Sequence, residues 1–151
     1  MVGKLTDEQI EEVLKQNVLG RIGCYDGNRI YVVPVNYVYD GRFIIAHSAE
    51  GMKIQMMRKN PGVCFEVDDM KSFTKWKSVI TWGRYQELTD EWERYYALKL
   101  FAERTMYMKI SKTAIPPEMD IEKEGIAAYH NIRAVIYRIV IQEKTGRFEN
   151  D

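Results

Sequence analysis

Two Asp-Gly pairs, Asp26-Gly27 and Asp40-Gly41, each stand between runs rich in β-branched and aromatic residues. Asp-Gly is a strong short-range hairpin signal, because the tight turn joining two twisted strands needs a left-handed backbone that glycine adopts without steric cost. Val18–Tyr25 and Arg29–Tyr39 read as strands around the first turn, and Arg29–Tyr39 and Phe43–Ala46 as strands around the second. Two such hairpins in succession commit this part of the chain to an antiparallel meander.

The remaining signals add helices and further strands. Thr6-Asp7-Glu8-Gln9 has the pattern of a capping box, and Ile10, Val13 and Leu14 follow at helical spacing, so residues 7–16 are predicted as a short amphipathic helix. Ser48 is predicted to cap a second helix running to about Lys59, with Met52, Met56 and Met57 on its apolar face. Asn60-Pro61 ends it, because a residue before proline avoids the α region. Val63–Val67 reads as a strand. Trp76–Leu88 reads as a long one, with Gly83 marking a bulge or a close backbone approach. Asp90-Glu91-Trp92-Glu93 opens a third helix to about Glu103, and after a loop holding Ile115-Pro116-Pro117 the final strand is Ala134–Gln142. About six strands interrupted by isolated helices predict a mainly β, antiparallel barrel with helical decoration, formed as one domain over residues 1–151.

Composition narrows the function. With 46% hydrophobic residues and a formal net charge of +0, the chain can build a core but lacks the basic excess of a general nucleic-acid binder. It contains no long apolar run and no signal-peptide core at its start, so a cytoplasmic location is expected. Cys24 and Cys64 are isolated and read as reduced, buried thiols, and no metal-ligand spacing occurs. The carboxylates cluster at 7–12, 90–93 and 118–124, which suits solvated helix faces. No G-x-S-x-G elbow, G-x-G-x-x-G loop or Walker pattern is present, and His130 reads as a turn or surface residue.

The segment that can carry chemistry is His47-Ser48-Ala49-Glu50-Gly51-Met52-Lys53, where a strand hands over to a helix. A helix start presents open N–H groups and the positive end of its dipole, and Ser48 and Lys53 add a hydroxyl and a point charge. Plain capping by Ser48, with Lys53 in solvent, explains the same residues structurally.

The order of motifs along the chain resembles the FMN-binding split-barrel family, the pyridoxamine 5′-phosphate oxidase-like group, nearest its nitroimidazole-resistance reductase branch. The resemblance runs from Leu19-Gly20-Arg21-Ile22-Gly23 through Pro34-Val35-Asn36-Tyr37, Asp40-Gly41, His47-Ser48 and Gly51-Met52-Lys53. It continues through Arg58-Lys59-Asn60-Pro61 and Val63-Cys64-Phe65-Glu66-Val67 to Thr145-Gly146-Arg147. It implies a six-stranded antiparallel split barrel that forms a homodimer with FMN at the subunit interface. By the same resemblance Val35, Asn36 and Tyr37 run beside the flavin ring, His47 and Ser48 lie near the ring and the ribityl–phosphate chain, and Lys53 meets the phosphate with Met52 close by. Trp76, Ser78 and Val79 contribute from the same or the partner subunit, and Arg147, or another basic residue of the partner, completes the phosphate site. His47 is the candidate for proton donation to a reducible small molecule, with an ordering role in the turn as its alternative. The implied activity is an FMN-dependent oxidoreductase acting on a small electrophile of nitroaromatic or quinone type. A non-catalytic flavin or haem carrier or sensor of the same fold is the alternative, and deazaflavin-using relatives share the architecture. No arginine–histidine clamp for a substrate phosphate is found, which argues against vitamin B6 oxidation.

Overall fold

The computed structural model describes residues 1–108 and 133–151, so His130, the Ile115-Pro116-Pro117 loop and the 118–124 carboxylates lie outside the described residues. In chain order the elements are β1 (Val2–Lys4), α1 (Asp7–Gln16), β2 (Leu19–Tyr25), β3 (Ile30–Tyr39) and β4 (Phe43–Ser48). They continue with α2 (Met52–Lys59), β5 (Gly62–Ser72), β6 (Lys75–Glu87), α3 (Glu91–Met108) and β7 (Val135–Asn150).

Local chemistry sets these boundaries. The Gln9 amide donates to Thr6 Oγ1 at 3.2 Å and the Thr6 amide donates to Gln9 Oε1 at 2.9 Å, completing the predicted capping box. Both hairpin turns place glycine in the left-handed region, Gly27 at φ 97° and Gly41 at φ 94°. In each turn the aspartate carboxylate accepts two backbone amides: Asp26 from Asn28 and Arg29, and Asp40 from Arg42 and Phe43. The Glu93 amide donates to Asp90 Oδ2 at the start of α3, which extends past the predicted end at Glu103.

All strand pairings are antiparallel. The order β7-β4-β3-β2-β5-β6 closes through a further β6–β7 pairing, giving the expected six-stranded barrel. A seventh strand, β1, is an addition to the sequence reading. It pairs with β7 over Arg147–Glu149, on the same edge that β4 occupies over Val135–Val140. The stretch between the two is left to α1 and its lead-in, where the Leu5 amide donates to the Gly146 carbonyl at 3.0 Å. That gap is the split in the barrel. β7 also runs eight residues beyond the predicted Gln142, because β6 stays paired with it as far as Lys75↔Asn150. The register shifts once, between Trp82 and Gly83, and a Cβ on Gly83 would lie 2.3 Å from the Val140 carbonyl oxygen. Gly83 is thus the close backbone approach that its position in the strand predicts.

Two apolar clusters hold the molecule. The barrel interior contains Ile22, Tyr37, Ile44, Phe65, Val67 and Val79, while α3 lays Ala97, Leu98 and Phe101 over Val38, Ile45 and Ile136 on the outside. α1 plugs the barrel, with Tyr37 donating to the Leu14 carbonyl at 2.7 Å and Tyr39 donating to both Glu11 oxygens. Burial alone raises the Glu11 pKa, but its hydrogen bonds with Lys144 and Tyr39 outweigh that and hold it below the usual glutamate value. A carboxyl whose folded pKa is lowered stabilises the fold above its unfolded pKa, about 4.3 for glutamate, and loses that contribution as pH falls through the folded value. Thermal unfolding should therefore show parent protein losing more stability between pH 6 and acid than Lys144→Ala, in which much of the lowering is gone. Equal acid sensitivity of the two proteins contradicts this assignment.

Candidate functional site

β4 carries the site into α2. Its ladder with β7 continues through His47↔Ile136 and Ser48↔Val135, so Ser48 is held as the last strand residue. This corrects the expectation that Ser48 caps the helix. The N-cap is Gly51, in extended backbone and with no side-chain hydrogen bond, while Ser48 Oγ donates to the Ala49 carbonyl at 2.7 Å. α2 therefore begins with its first-turn amides uncapped by any side chain.

Lys53 sits one residue into that helix and is half-buried. It forms no ion pair or hydrogen bond among the described residues, and burial lowers its pKa from the ordinary lysine value, offset in part by Cys24. A desolvated ammonium without a counter-charge is costly, and an anion would relieve it. Met52 differs from the expected core stripe. Met56 and Met57 are buried, but Met52 is exposed, with its sulfur 4.0 Å from the Arg29 guanidinium.

His47 lies on the outer side of β4, half-buried, with its ring edge-on to Phe101 of α3 at a centroid distance of 5.0 Å and 77° between planes. Asn36 is also outward on β3. Val35 and Tyr37, its neighbours, point into the barrel core, as does Val79, so these three can meet a ligand only through main-chain groups.

The remaining predicted residues form a separate group. Ser78 pairs with Arg147 and Trp76 with Glu149, whose carboxylate accepts the indole N–H at 3.0 Å. Ser78 Oγ donates to Glu66 Oε1 at 3.2 Å, and Arg21 lies between Glu66 and Asp68 at 3.6 and 3.3 Å. Burial and the nearby Asp68 raise the Glu66 pKa, outweighing Ser78 and Arg21. Two carboxylates beside Ser78 make this an unfavourable seat for a phosphate, which favours the Lys53 end for that group. Eleven residues of β7 separate Ile136, the partner of His47, from Arg147, about 36 Å of strand at ~3.3 Å per residue. Arg147 and His47 of one chain are therefore too widely spaced along the strand to grip one small ligand as neighbours.

Sequence reasoning missed an ion-pair network. Arg58 donates to both Glu50 oxygens at 2.8 and 2.9 Å and to both Glu87 oxygens at 2.8 and 3.1 Å, and Tyr85 adds a 2.6 Å bond to Glu87. Glu50 and Arg58 are eight residues apart, outside the usual i,i+3 and i,i+4 helical pairs, so spacing gave no signal. An exposed apolar surface was also missed. Tyr25 lies opposite Ile30 and Val32 opposite Gly23, followed across the sheet by Cys64 and Trp82. Tyr25, Ile30, Val32 and Trp82 are exposed around a shallow depression of about 480 Å³, and Leu19 is exposed farther along β2. The run Ile30-Tyr31-Val32-Val33, apolar without alternation, was the available clue, since a strand with one solvated face alternates. Cys24 is buried inside the barrel and Cys64 lies half-buried on this outer face.

Among the described residues no His, Cys, Asp and Glu group has the arrangement of a metal site, and no helix is long and apolar enough to cross a membrane. Comparison with known proteins places the architecture. A protein of Mesorhizobium loti described as FAD-binding is 30% identical, with 99% of each chain covered and a TM-score of 0.74. A protein of Bacteroides thetaiotaomicron described in terms of 5-nitroimidazole antibiotic resistance shares the fold at 21% identity, covering 98% of this chain and 87% of the other, with a TM-score of 0.73. An uncharacterized Rhizobium meliloti protein is 29% identical over 147 residues, 95% of this chain and 92% of its own. The family profile for pyridoxamine 5′-phosphate oxidase matches residues 6–148, and with the closed antiparallel barrel, its split and the β4–α2 junction this chain belongs to that family.

Proposed function

We propose that the chain is a flavin-binding oxidoreductase that holds FMN in a groove between two copies and reduces a small electrophile of nitroaromatic or quinone type. The observation that carries this reading is the half-buried Lys53, without an ion pair among the described residues, beside a start of α2 that its N-cap Gly51 leaves without a side-chain hydrogen bond. Open helix amides and a desolvated ammonium match a phosphate, which needs several charge-assisted donors when it leaves water. The donor set fits FMN at that end. The Mesorhizobium loti relative described as FAD-binding adds weight for a flavin.

Two further features support a paired arrangement. Trp76, Ser78 and Arg147 stand far along the sheet from His47 and Lys53, so a second copy is the natural source of one of the two groups. The exposed strip from Leu19 to Trp82 offers the apolar surface that such a pairing buries.

A bound flavin supplies the two-electron chemistry. The chain's own groups then have separate tasks. Lys53 and the α2 amides bind the phosphate, and the main chain of Val35, Asn36 and Tyr37 with the Asn36 side chain lines the ring's edge. His47, oriented by Phe101, presents a proton to the substrate.

Purified protein should be yellow, or become so with added FMN, and keep its colour through desalting. Mixed anaerobically after reduction, it should be reoxidised by nitroaromatics or quinones faster than free flavin is. Protein that stays colourless with added FMN rules the proposal out. Flavin retention without accelerated reoxidation rules out the enzyme and leaves a carrier.

A further inference from the structure

Glu50 stands immediately before the N-cap Gly51, where a carboxylate is drawn to the positive end of α2. In the structure it is not there. Both of its oxygens are taken by Arg58, at the other end of the same helix, and Arg58 is in turn fixed to the barrel through Glu87 at the end of β6. Four hydrogen bonds to two carboxylates leave the guanidinium a single orientation, the bidentate geometry that arginine favours.

We propose that Arg58 is a positioning residue that keeps Glu50 from occupying the anion site of its own helix. This rests on the reading that the α2 start and Lys53 receive the flavin phosphate. Released from Arg58, Glu50 has an exposed, flexible side chain next to open amides and to the Lys53 ammonium, which has no ion pair among the described residues. It then competes as a tethered anion, at an effective concentration on the order of millimolar. The clamp also explains why a loop carrying a carboxylate can serve an anionic ligand: the charge is neutralised and turned along the helix flank. Merely structural bracing by Arg58 predicts that removing Glu50 as well makes matters worse or leaves them unchanged. Restraint of a competitor predicts the reverse.

The test is a double-variant cycle read by FMN titration of the full chain, with riboflavin as the phosphate-free probe. Arg58→Gln should weaken FMN about tenfold, and Glu50→Gln alone should stay within about twofold of parent. The Arg58→Gln/Glu50→Gln double variant should recover to within about twofold of parent. Riboflavin affinity should be the same for all four proteins. If Arg58→Gln does not fold, Arg58→Lys replaces it in the same cycle, since lysine cannot hold both carboxylates bidentately. A double variant as weak as Arg58→Gln, or a parallel loss of riboflavin, overturns the clamp while leaving the flavin reading intact. So does an FMN affinity unchanged in the single variant. A parent that takes up neither FMN nor riboflavin overturns the flavin reading, and the clamp with it.

Discussion

Lys53→Ala should lose FMN affinity by roughly ten- to a hundred-and-fifty-fold, corresponding to the ~1.5–3 kcal/mol carried by a hydrogen bond to a charged group. The magnitude follows from position. Lys53 is half-buried, lacks a carboxylate partner among the described residues, and has its pKa lowered chiefly by burial. A phosphate beside it removes the charge imbalance, so the gain on binding includes recovery of a cost the free protein bears. For the same reason the substitution should leave folding intact or improve it slightly, since it deletes a desolvated charge that has no ion pair or hydrogen bond among the described residues. FMN titration alongside thermal unfolding separates the two effects. A fall in affinity for FMN but not for riboflavin assigns Lys53 to the phosphate. An unchanged FMN affinity removes Lys53 from the site.

The fold was legible because its signals are local. Thr6 and Gln9 close a capping box within one turn, and Asp26-Gly27 and Asp40-Gly41 each make a turn whose hydrogen bonds span two or three residues. Gly83 announced a bulge by being glycine in a strand. β1 and the far half of β7 were not legible, because three residues and a polar run become strands only when a long neighbour offers them an edge. Ser48 was misassigned as a cap for a related reason. Its hydroxyl has the right chemistry, but the β4–β7 ladder reaches Val135 and keeps it in the strand.

The site was legible by residue type and less so by direction. Period-two alternation sends Val35, Tyr37 and Val79 inward once the register is known, leaving Asn36, Trp76 and Ser78 outward. A motif quotes all of these together and cannot say which faces a ligand. The Glu50–Arg58–Glu87 network joins a loop, a helix end and a distant strand, so only the closed barrel brings it together.

If the proposed dimer forms through the outer strip, Val32→Asp should convert it into a monomer and abolish flavin retention, with the fold preserved. Val32 is 61% exposed at the centre of the outer apolar strip, between Gly23 and the Ile30–Tyr25 pair, so aspartate costs the isolated chain little. In a two-fold pairing the same patch faces itself, and each substitution is met twice. Two carboxylates desolvated near one another cost several kcal/mol, enough to weaken association more than a hundredfold. The residues near His47 and those near Arg147 lie at separate stretches of β7, so under the proposed shared site a monomer should lose one of the two groups. Sedimentation at several concentrations, far-ultraviolet circular dichroism and the flavin spectrum decide the matter together. Trp92→Asp is the control, since Trp92 is 66% exposed but stands on α3, off the strip, and should remain dimeric and yellow. A Val32→Asp protein that still associates and retains flavin places the interface on another face. A monomer that keeps full flavin affinity shows that one chain completes the site, and the groove between copies would then have no part in binding.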